Sequence, residues 1–229
     1  MVQMYHLPAG QLMREWGKRM SDEQNVIQNP PPKVKAMYQA VINLLKTERD
    51  ITNIKVADIT SSAGIGKGTA YEYFSTKEEI LSSAIIYYVN QCIENVKEIA
   101  QKQENFHDKL YDIMDFADEH VKDRQAIFAL LKIILNAYEV PDSFKAHFDN
   151  MQNCSKAGAI NEIIDILLES ARKEGLVSQK EVFFQRAAIE TTMRMYFMYK
   201  VEAEHNKELD LEADTLREYI YQNTLKLLG

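Results

Sequence analysis

The sequence predicts an all-α fold in which a small N-terminal domain precedes a larger helical domain. The 229 residues exceed the roughly 150 that one domain usually contains. Eight glycines and five prolines amount to about half of the usual share of these turn-forming residues. With 46% hydrophobic and 27% charged residues, this composition favours long amphipathic helices. A β-sandwich or a Rossmann domain requires more glycine.

We interpret residues 1–32 as an N-terminal extension and a linker. Leu12, Trp16 and Met20 recur every fourth residue and predict a short amphipathic helix. This helix is either a docking arm or part of an over-long translation start, in which case the protein begins at Met20 and residues 1–19 do not belong to it. Three prolines end the linker, and proline suits the first turn of the helix that follows.

Ten helical segments are predicted after the linker from the spacing of apolar residues and from breaker residues. They are 33–49, 56–63, 67–74, 77–103, 106–121, 124–138, 142–153, 155–174, 179–205 and 211–228. Ser75 and Thr76 each precede a glutamate by three residues, so either side chain suits a capping box before the fourth helix. Arg172, Lys173 and Gly175 form a helix stop. The predicted domains are therefore 33–80 and 81–229.

The second and third helices match the helix-turn-helix plan. Counted from Val56, the plan requires apolar residues at positions 4, 8, 10, 15 and 18 and a glycine at position 9. These positions hold Ile59, Ala63, Ile65, Ala70, Tyr73 and, at the corner, Gly64. We therefore expect Gly64 in the left-handed conformation and Tyr73 or Phe74 in the core. The fifth position prefers a very small residue and holds Thr60 instead.

The segment Val56–Leu81 resembles the TetR family of bacterial transcriptional regulators. The matching pieces are Ala63-Gly64-Ile65, Lys67-Gly68-Thr69, Tyr71 with Phe74, and Lys77-Glu78-Glu79-Ile80-Leu81. The resemblance covers about residues 33–81. It implies a helix-turn-helix domain followed by a helical domain for effector binding and dimerisation. It further implies a homodimer that binds a palindromic operator in double-stranded DNA, most often as a repressor, and that a small-molecule effector releases.

The candidate DNA contacts lie on or beside the predicted second and third helices. Lys67 suits guanine, and Thr69 suits a base edge or a thymine methyl. Lys77 lies in the first turn of a helix, where the dipole disfavours a cation unless a phosphate binds there too. An alternative interpretation of the extension is that its basic residues form a further arm that contacts DNA. The full set is Lys55, Ser61, Lys67, Gly68, Thr69, Tyr71, Tyr73 and Lys77.

Three residues depart from the family pattern. Gly66 stands where serine or threonine usually caps the recognition helix. Glu72 faces outward, where an acid repels phosphate or accepts a hydrogen bond from cytosine N4. Ala57 offers no long side chain to the bases. These departures bear on which operator is bound.

In the larger domain, segments 155–174 and 179–205 carry apolar stripes wider than one helix face buries, among them Ile160 and Phe183. Either a four-helix dimer interface or an ordinary intrachain core accounts for these stripes. The effector candidates are mostly aromatic, which suits an apolar cavity as well as a core. They are Phe116, His120, Phe128, Tyr138, Phe148, Arg194 and Tyr196. Arg194 either serves the effector or forms a buried ion pair with Glu190.

No local pattern for an enzyme is found. The sequence lacks a glycine-rich phosphate loop, paired histidines at metal spacing and a nucleophile elbow. Cys92 and Cys154 match no metal or redox spacing, so we expect no metal and no cofactor, and a reducing, cytoplasmic location. The longest apolar run, 126–135, is interrupted by Lys132 and is too short to span a membrane.

The net charge of −7 is unevenly distributed. Residues 30–80 contain seven basic and six acidic residues, whereas residues 81–229 contain 17 basic and 25 acidic residues. Because salt screens charges beyond about 8 Å, an acidic second domain does not exclude DNA binding by the first. The alternative is a TetR-like interaction protein that lacks specific operator binding and acts through another regulator. Glu72 and the small positive balance of residues 30–80 favour this alternative.

Overall fold

The computed structural model describes residues 29–47, 51–121, 156–203 and 206–229. The predicted helix around Trp16, the segments 124–138 and 142–153, and the effector candidates Phe128, Tyr138 and Phe148 lie outside these residues. The α-helices are α1 Pro32–Leu45, α2 Val56–Ser62, α3 Lys67–Tyr73, α4 Lys77–Lys102, α5 Phe106–Val121, α6 Lys156–Lys173, α7 Val182–Ala203 and α8 Ala213–Leu228. A 3-10 turn at Ile51–Asn53 precedes α2. The described ranges contain no strand, so the all-α prediction is confirmed.

The chain divides into two compact units between Tyr88 and Val89, a boundary that falls inside α4. In the first unit, α1 packs against α2 and α3. Its core contains Met37 and Val41 of α1 together with Ile59 of α2, all completely buried.

The ends of the helices in the first unit follow local hydrogen-bonding rules. Pro32 occupies the first position of α1, as predicted for the end of the linker. The helix α1 ends at Leu45 and not near Arg49, because the Thr47 hydroxyl and backbone N–H both donate to the Leu44 carbonyl, at 2.8 and 3.2 Å. Such a local bond competes with continuation of the helix.

Of the two predicted capping pairs before α4, Thr76 with Glu79 is the one that forms. The Glu79 backbone N–H donates to Thr76 Oγ1 at 3.1 Å, and the Glu79 carboxylate accepts from the backbone N–H of Ser75 at 2.7 Å. Ser75 therefore contributes its backbone, and its side chain is not the cap.

In the second unit, α7 packs along α8, and α6 packs against α5 and α7. The core contains large apolar side chains from all four helices: Phe106, Leu110, Met114, Leu167, Tyr196 and Ile220. The stop predicted after α6 is confirmed. Gly175 has a φ of 71°, and the backbone N–H of Leu176 donates to the Ala171 carbonyl at 2.9 Å.

The C-terminal end of α4 is held by a buried lysine. Lys109 of α5 donates its ammonium to the carbonyls of Ala100, at 2.5 Å, and of Gln103. Burial lowers the pKa of Lys109 from its ordinary value. Within the described ranges, no helix is long and apolar enough to cross a membrane, and no cluster of side chains suits a metal ion.

Candidate nucleic-acid interface

The corner between α2 and α3 has the geometry that the sequence predicts. Gly64 has a φ of 67°. Its backbone N–H donates to the Ser61 carbonyl at 3.2 Å, and that of Ile65 donates to the Thr60 carbonyl at 3.0 Å. This pair of bonds is the Schellman motif, which satisfies the last carbonyls of α2 and sends the chain into α3.

Thr60 occupies the position where a very small residue was expected. Its side chain is buried, and its hydroxyl donates to the Ala57 carbonyl at 3.3 Å. A hydroxyl that bonds back to its own helix carries no unsatisfied polar group into the contact between helices. The departure from the helix-turn-helix plan at Thr60 therefore leaves the geometry of the corner intact.

Phe74, and not Tyr73, completes the core of the recognition unit. Phe74 is buried, and its ring centroid lies 6.1 Å from that of Tyr38. Tyr73 is 38% exposed, so of the two predicted alternatives it is Phe74, and not Tyr73, that lies in the core. The helix ends at Tyr73, and Phe74 adopts an extended backbone that turns its ring toward α1. Helical periodicity no longer decides the direction of a side chain at this point.

The outward face of α3 presents a short series of polar and aromatic side chains to solvent. Lys67 and Gly68 are exposed, Thr69 is partly exposed, and Tyr71 is 50% exposed. On the opposite face, Ala70 is completely buried. Five of the eight predicted DNA contacts, Tyr73 included, therefore share one seven-residue helix.

Two further candidates mark the ends of α2. The backbone N–H of Lys55 donates to Asp58 Oδ2 at 3.1 Å, which starts the helix and leaves Lys55 exposed. Ser61 is exposed in the last turn. Gly66 caps α3 through its extended backbone without a side-chain hydrogen bond. The helix α3 thus begins with backbone N–H groups that no side chain at this position covers.

Lys77 lies in the first turn of α4, as expected. Its Nζ lies 3.8 Å from Glu78 Oε1, and Glu79 stands in the same turn. These two acids offset the unfavourable effect of the helix dipole on a cation. Lys77 therefore has a local ionic neighbour as well as access to solvent.

The effector candidates of the second unit occupy different environments. Tyr196 is completely buried, and its hydroxyl donates to the Met114 carbonyl at 3.1 Å. Phe116 is partly buried, and the side chain of His120 lies outside the described part. Arg194 and Glu190 are both exposed, so the expected buried ion pair is wrong. The apolar neighbours of Arg194 in sequence do not bury it because that face of α7 points to solvent.

The second unit contains a network of charged residues that no sequence pattern predicts. Arg217 Nη2 lies 2.7 Å from Asp118 Oδ2 and 2.8 Å from Asp115 Oδ1, and Lys200 Nζ lies 2.6 Å from Asp118 Oδ1. Burial opposes ionisation of Asp118, but the hydrogen bonds from Lys200 and Arg217 outweigh it, so its pKa lies below the ordinary value. Arg217 and Asp118 are 99 residues apart, and no local pattern connects them.

Comparison with known proteins gives one family match. Residues 45–84 match the family model described as bacterial regulatory proteins, tetR family. A search of curated protein sequences found no match to this chain.

Solved structures with the same fold cover most of the chain. The fatty acid degradation regulator FadR from Bacillus halodurans is 15% identical, with a TM-score of 0.60 over 87% of this chain and 96% of that one. The transcriptional regulator FadR from Bacillus subtilis, solved with stearoyl-CoA, is 16% identical, with a TM-score of 0.58 over 85% and 97%. A Rhodococcus protein assigned to the TetR family of transcriptional regulators is 15% identical, with a TM-score of 0.58 over 87% and 100%.

At these identities the structural likeness concerns the fold. The family match is independent of it and covers α2, α3 and the start of α4, the same elements that form the helix-turn-helix corner. The resemblance read from the sequence is therefore confirmed for these elements: the helix-turn-helix segment of this chain matches that of the tetR family of bacterial regulatory proteins.

Proposed function

We propose that the protein binds a palindromic operator as a homodimer, acts as a repressor in the cytoplasm, and is released from DNA by a small-molecule effector. The observation that carries this proposal is the exposed face of α3. It presents Lys67, Thr69 and Tyr71 to solvent while Ala70 fixes the helix to the core of the first unit.

On DNA, the start of α3 enters the major groove, as recognition helices of this plan do. There Lys67 donates to guanine O6 and N7, and Thr69 contacts a base edge or a thymine methyl. Phosphates bind to the residues around this helix: Lys55, Ser61, Tyr71, Tyr73 and Lys77. Gly68 allows the backbone to approach the groove closely, because it adds no side chain on this face.

The homodimer is supported by the exposed apolar side chains of α7. Phe183 is 73% exposed, and Phe184 and Met198 are also more than half exposed. The rings of Phe183 and Phe184 contact each other, with centroids 5.3 Å apart, and a contiguous exposed apolar patch of this kind marks an interaction site in soluble proteins. A two-fold contact through this helix joins two recognition helices, which read successive major-groove faces about 34 Å apart.

The effector that we propose is apolar, with aromatic residues of the second unit around it. The candidates remain Phe116, His120, Phe128, Tyr138, Phe148, Arg194 and Tyr196. The Bacillus subtilis structure was solved with stearoyl-CoA, which makes a long acyl chain the first probe to use. The effector releases DNA only if it binds the DNA-free conformation more tightly than the DNA-bound one.

Operator binding is tested by fluorescence anisotropy with DNA from upstream of the protein's own gene and with scrambled DNA, across a salt series. We expect selective binding whose affinity falls steeply with salt, since each neutralised phosphate releases counterions. Lys77→Ala lowers the salt slope by about 1, whereas the matched control Lys226→Ala on α8 leaves it unchanged. If the upstream DNA and the scrambled DNA bind equally, and a selection of bound genomic fragments also yields no preferred sequence, the results favour the alternative. In that alternative the protein is an interaction protein without an operator.

Dimer formation is tested by sedimentation of the full chain and of Phe183→Asp. We expect the variant to sediment as a monomer and to lose operator affinity by about 100-fold or more, because two linked sites bind with avidity. Leu211→Asp, a change of the same kind at an exposed apolar residue before α8, is the control. A Phe183→Asp protein that remains a dimer contradicts the proposed interface.

Effector release is tested by adding stearoyl-CoA to the operator complex, with coenzyme A alone as the control. Release by stearoyl-CoA and not by coenzyme A supports an acyl-chain effector. Release by neither compound contradicts this choice of effector and leads to a wider screen of apolar ligands.

A further inference from the structure

Glu72 lies at the centre of the exposed face of α3. Ala70 of this helix is completely buried and marks the side that faces the core. At 3.6 residues per turn, a residue two positions later points about 200° away from it. Glu72, two residues after Ala70, is therefore the side chain that points most directly away from the core, and it is exposed.

No neighbouring side chain of α3 covers the central position of Glu72 on the exposed face. Gly68 precedes it by one turn on the same face and has no side chain, and the space beside its Cα is open. Tyr71 and Tyr73 lie to either side, and both are exposed. When α3 lies in the major groove, the two tyrosines face the flanking strands, and Glu72 faces the edges of the bases.

A carboxylate in this place has few partners on DNA. It accepts hydrogen bonds and donates none, and phosphates repel it. In the major groove, donors are the N4 amino group of cytosine and the N6 amino group of adenine. Adenine also presents the N7 lone pair beside its amino group, which repels the second carboxylate oxygen, whereas cytosine presents no acceptor there.

We propose that Glu72 determines operator specificity by accepting a hydrogen bond from cytosine N4 in each half-site, an inference that rests on the proposed operator binding. The other acids in the described part of this unit have partners: Asp58 and Glu79 accept backbone N–H groups at the starts of α2 and α4, and Glu78 Oε1 lies 3.8 Å from Lys77 Nζ. Within the described ranges, the structure gives the Glu72 carboxylate no such bond and no ion pair. It is available to a base.

The experiment selects operators from a random double-stranded library with the full-length wild-type chain and with Glu72→Gln. Glutamine has the same shape but offers a donor and an acceptor together, which is the pattern that pairs with adenine N6 and N7. The matched control is Glu190→Gln, which removes the same charge from an exposed glutamate of α7.

We expect the wild type and Glu190→Gln to select the same motif, with one fixed cytosine in each half-site. Glu72→Gln replaces that cytosine by adenine and lowers the preference for cytosine over thymine there from about tenfold to about one. A Glu72→Gln variant that selects the wild-type motif unchanged, or that binds all sequences more tightly by one common factor, overturns the cytosine contact while operator binding stands. A wild-type chain that selects no motif overturns both the contact and the proposed function.

Discussion

The exposed faces of α3 and α7 differ in chemistry. The recognition helix α3 exposes lysine, threonine, glutamate and tyrosine, whereas α7 exposes Phe183, Phe184, Met195 and Met198. The first set provides charges and hydrogen bonds for a polar, charged surface such as DNA. The second set provides apolar area, which stabilises contacts between protein chains. The difference teaches that the two faces suit different partners, which on the proposed function are operator DNA for α3 and a second copy of the chain for α7.

The two units also differ in what holds them together. Apolar packing and helix caps organise the first unit, with Phe74 packed beside Tyr38 and with Thr76 at the start of α4. The second unit adds a partly buried ionic network around Asp118 and Arg217. The stability of the second unit therefore depends on charge as well as on its apolar core.

The largest effect expected from this difference is in the first unit. Phe74→Ala removes a buried ring and lowers the free energy of unfolding by about 3–5 kcal/mol. Tyr73→Ala, at the exposed neighbour, costs less than about 1 kcal/mol. Hydrogen exchange of the amides in α1 to α3 measures both changes. Similar losses of protection in the two variants would show that Tyr73 belongs to the core after all.

In the second unit, Asp118→Asn removes the negative charge at the centre of a partly buried ionic network and lowers the free energy of unfolding by about 1.5–3 kcal/mol. The matched control is Asp165→Asn, which breaks a more exposed ion pair with Arg186 and costs less than about 1 kcal/mol. Hydrogen exchange of the amides in α5 and α8, measured across a urea series, compares the free energies of unfolding of the two variants. A larger loss for Asp165→Asn is the result that contradicts the importance of the network.

The same network makes the second unit sensitive to acid. The folded pKa of Asp118 lies below its unfolded value of about 3.9, so its stabilisation is complete at neutral pH. It is lost as the pH falls below about 4 and through the folded pKa. Asp118→Asn therefore has its full effect at pH 7 and a smaller one at pH 3, and an effect independent of pH argues against this origin.

The smallest effect concerns two glycines of the helix-turn-helix and has opposite signs. Gly64→Ala forces a side chain into the left-handed region at φ 67° and costs about 1–2 kcal/mol. Gly68→Ala, inside α3 with open space beside its Cα, stabilises the helix by about 0.5 kcal/mol. Thermal unfolding of the two variants measures the contrast. A Gly64→Ala protein at least as stable as the wild type would show that Gly64 does not set the corner, and a destabilised Gly68→Ala protein would contradict the open space beside Gly68.

The first unit was predictable in detail because its rules are local. Gly64, Thr76 and Pro32 each fix a helix end through neighbouring residues, and the structure has all three where the sequence places them. The choice between Tyr73 and Phe74 for the core was not predictable, since both lie where the helix ends and periodicity stops. Local hydrogen bonding also explains the early end of α1.

The helices of the second unit were predictable from the sequence, but the side of each helix that faces the core was not. The apolar residues of α7 are distributed around its whole circumference. Sequence spacing alone therefore does not separate buried Ile189 and Tyr196 from exposed Phe183. The exposure of Arg194 was not predictable for the same reason, because its apolar neighbours do not determine which side of α7 faces the core. The partners in the network of Asp118 come from α7 and α8, and only the fold brings them together.

The most direct test of the central claim, that α3 carries a DNA-binding face, compares two exposed tyrosines. Tyr71 of α3 is 50% exposed, and Tyr219 of α8 is 57% exposed. Fluorescence anisotropy with the operator measures the affinity of Tyr71→Ala and Tyr219→Ala. We predict a loss of about tenfold or more for Tyr71→Ala and wild-type affinity for Tyr219→Ala. Equal affinity of the two variants and the wild type would contradict the account.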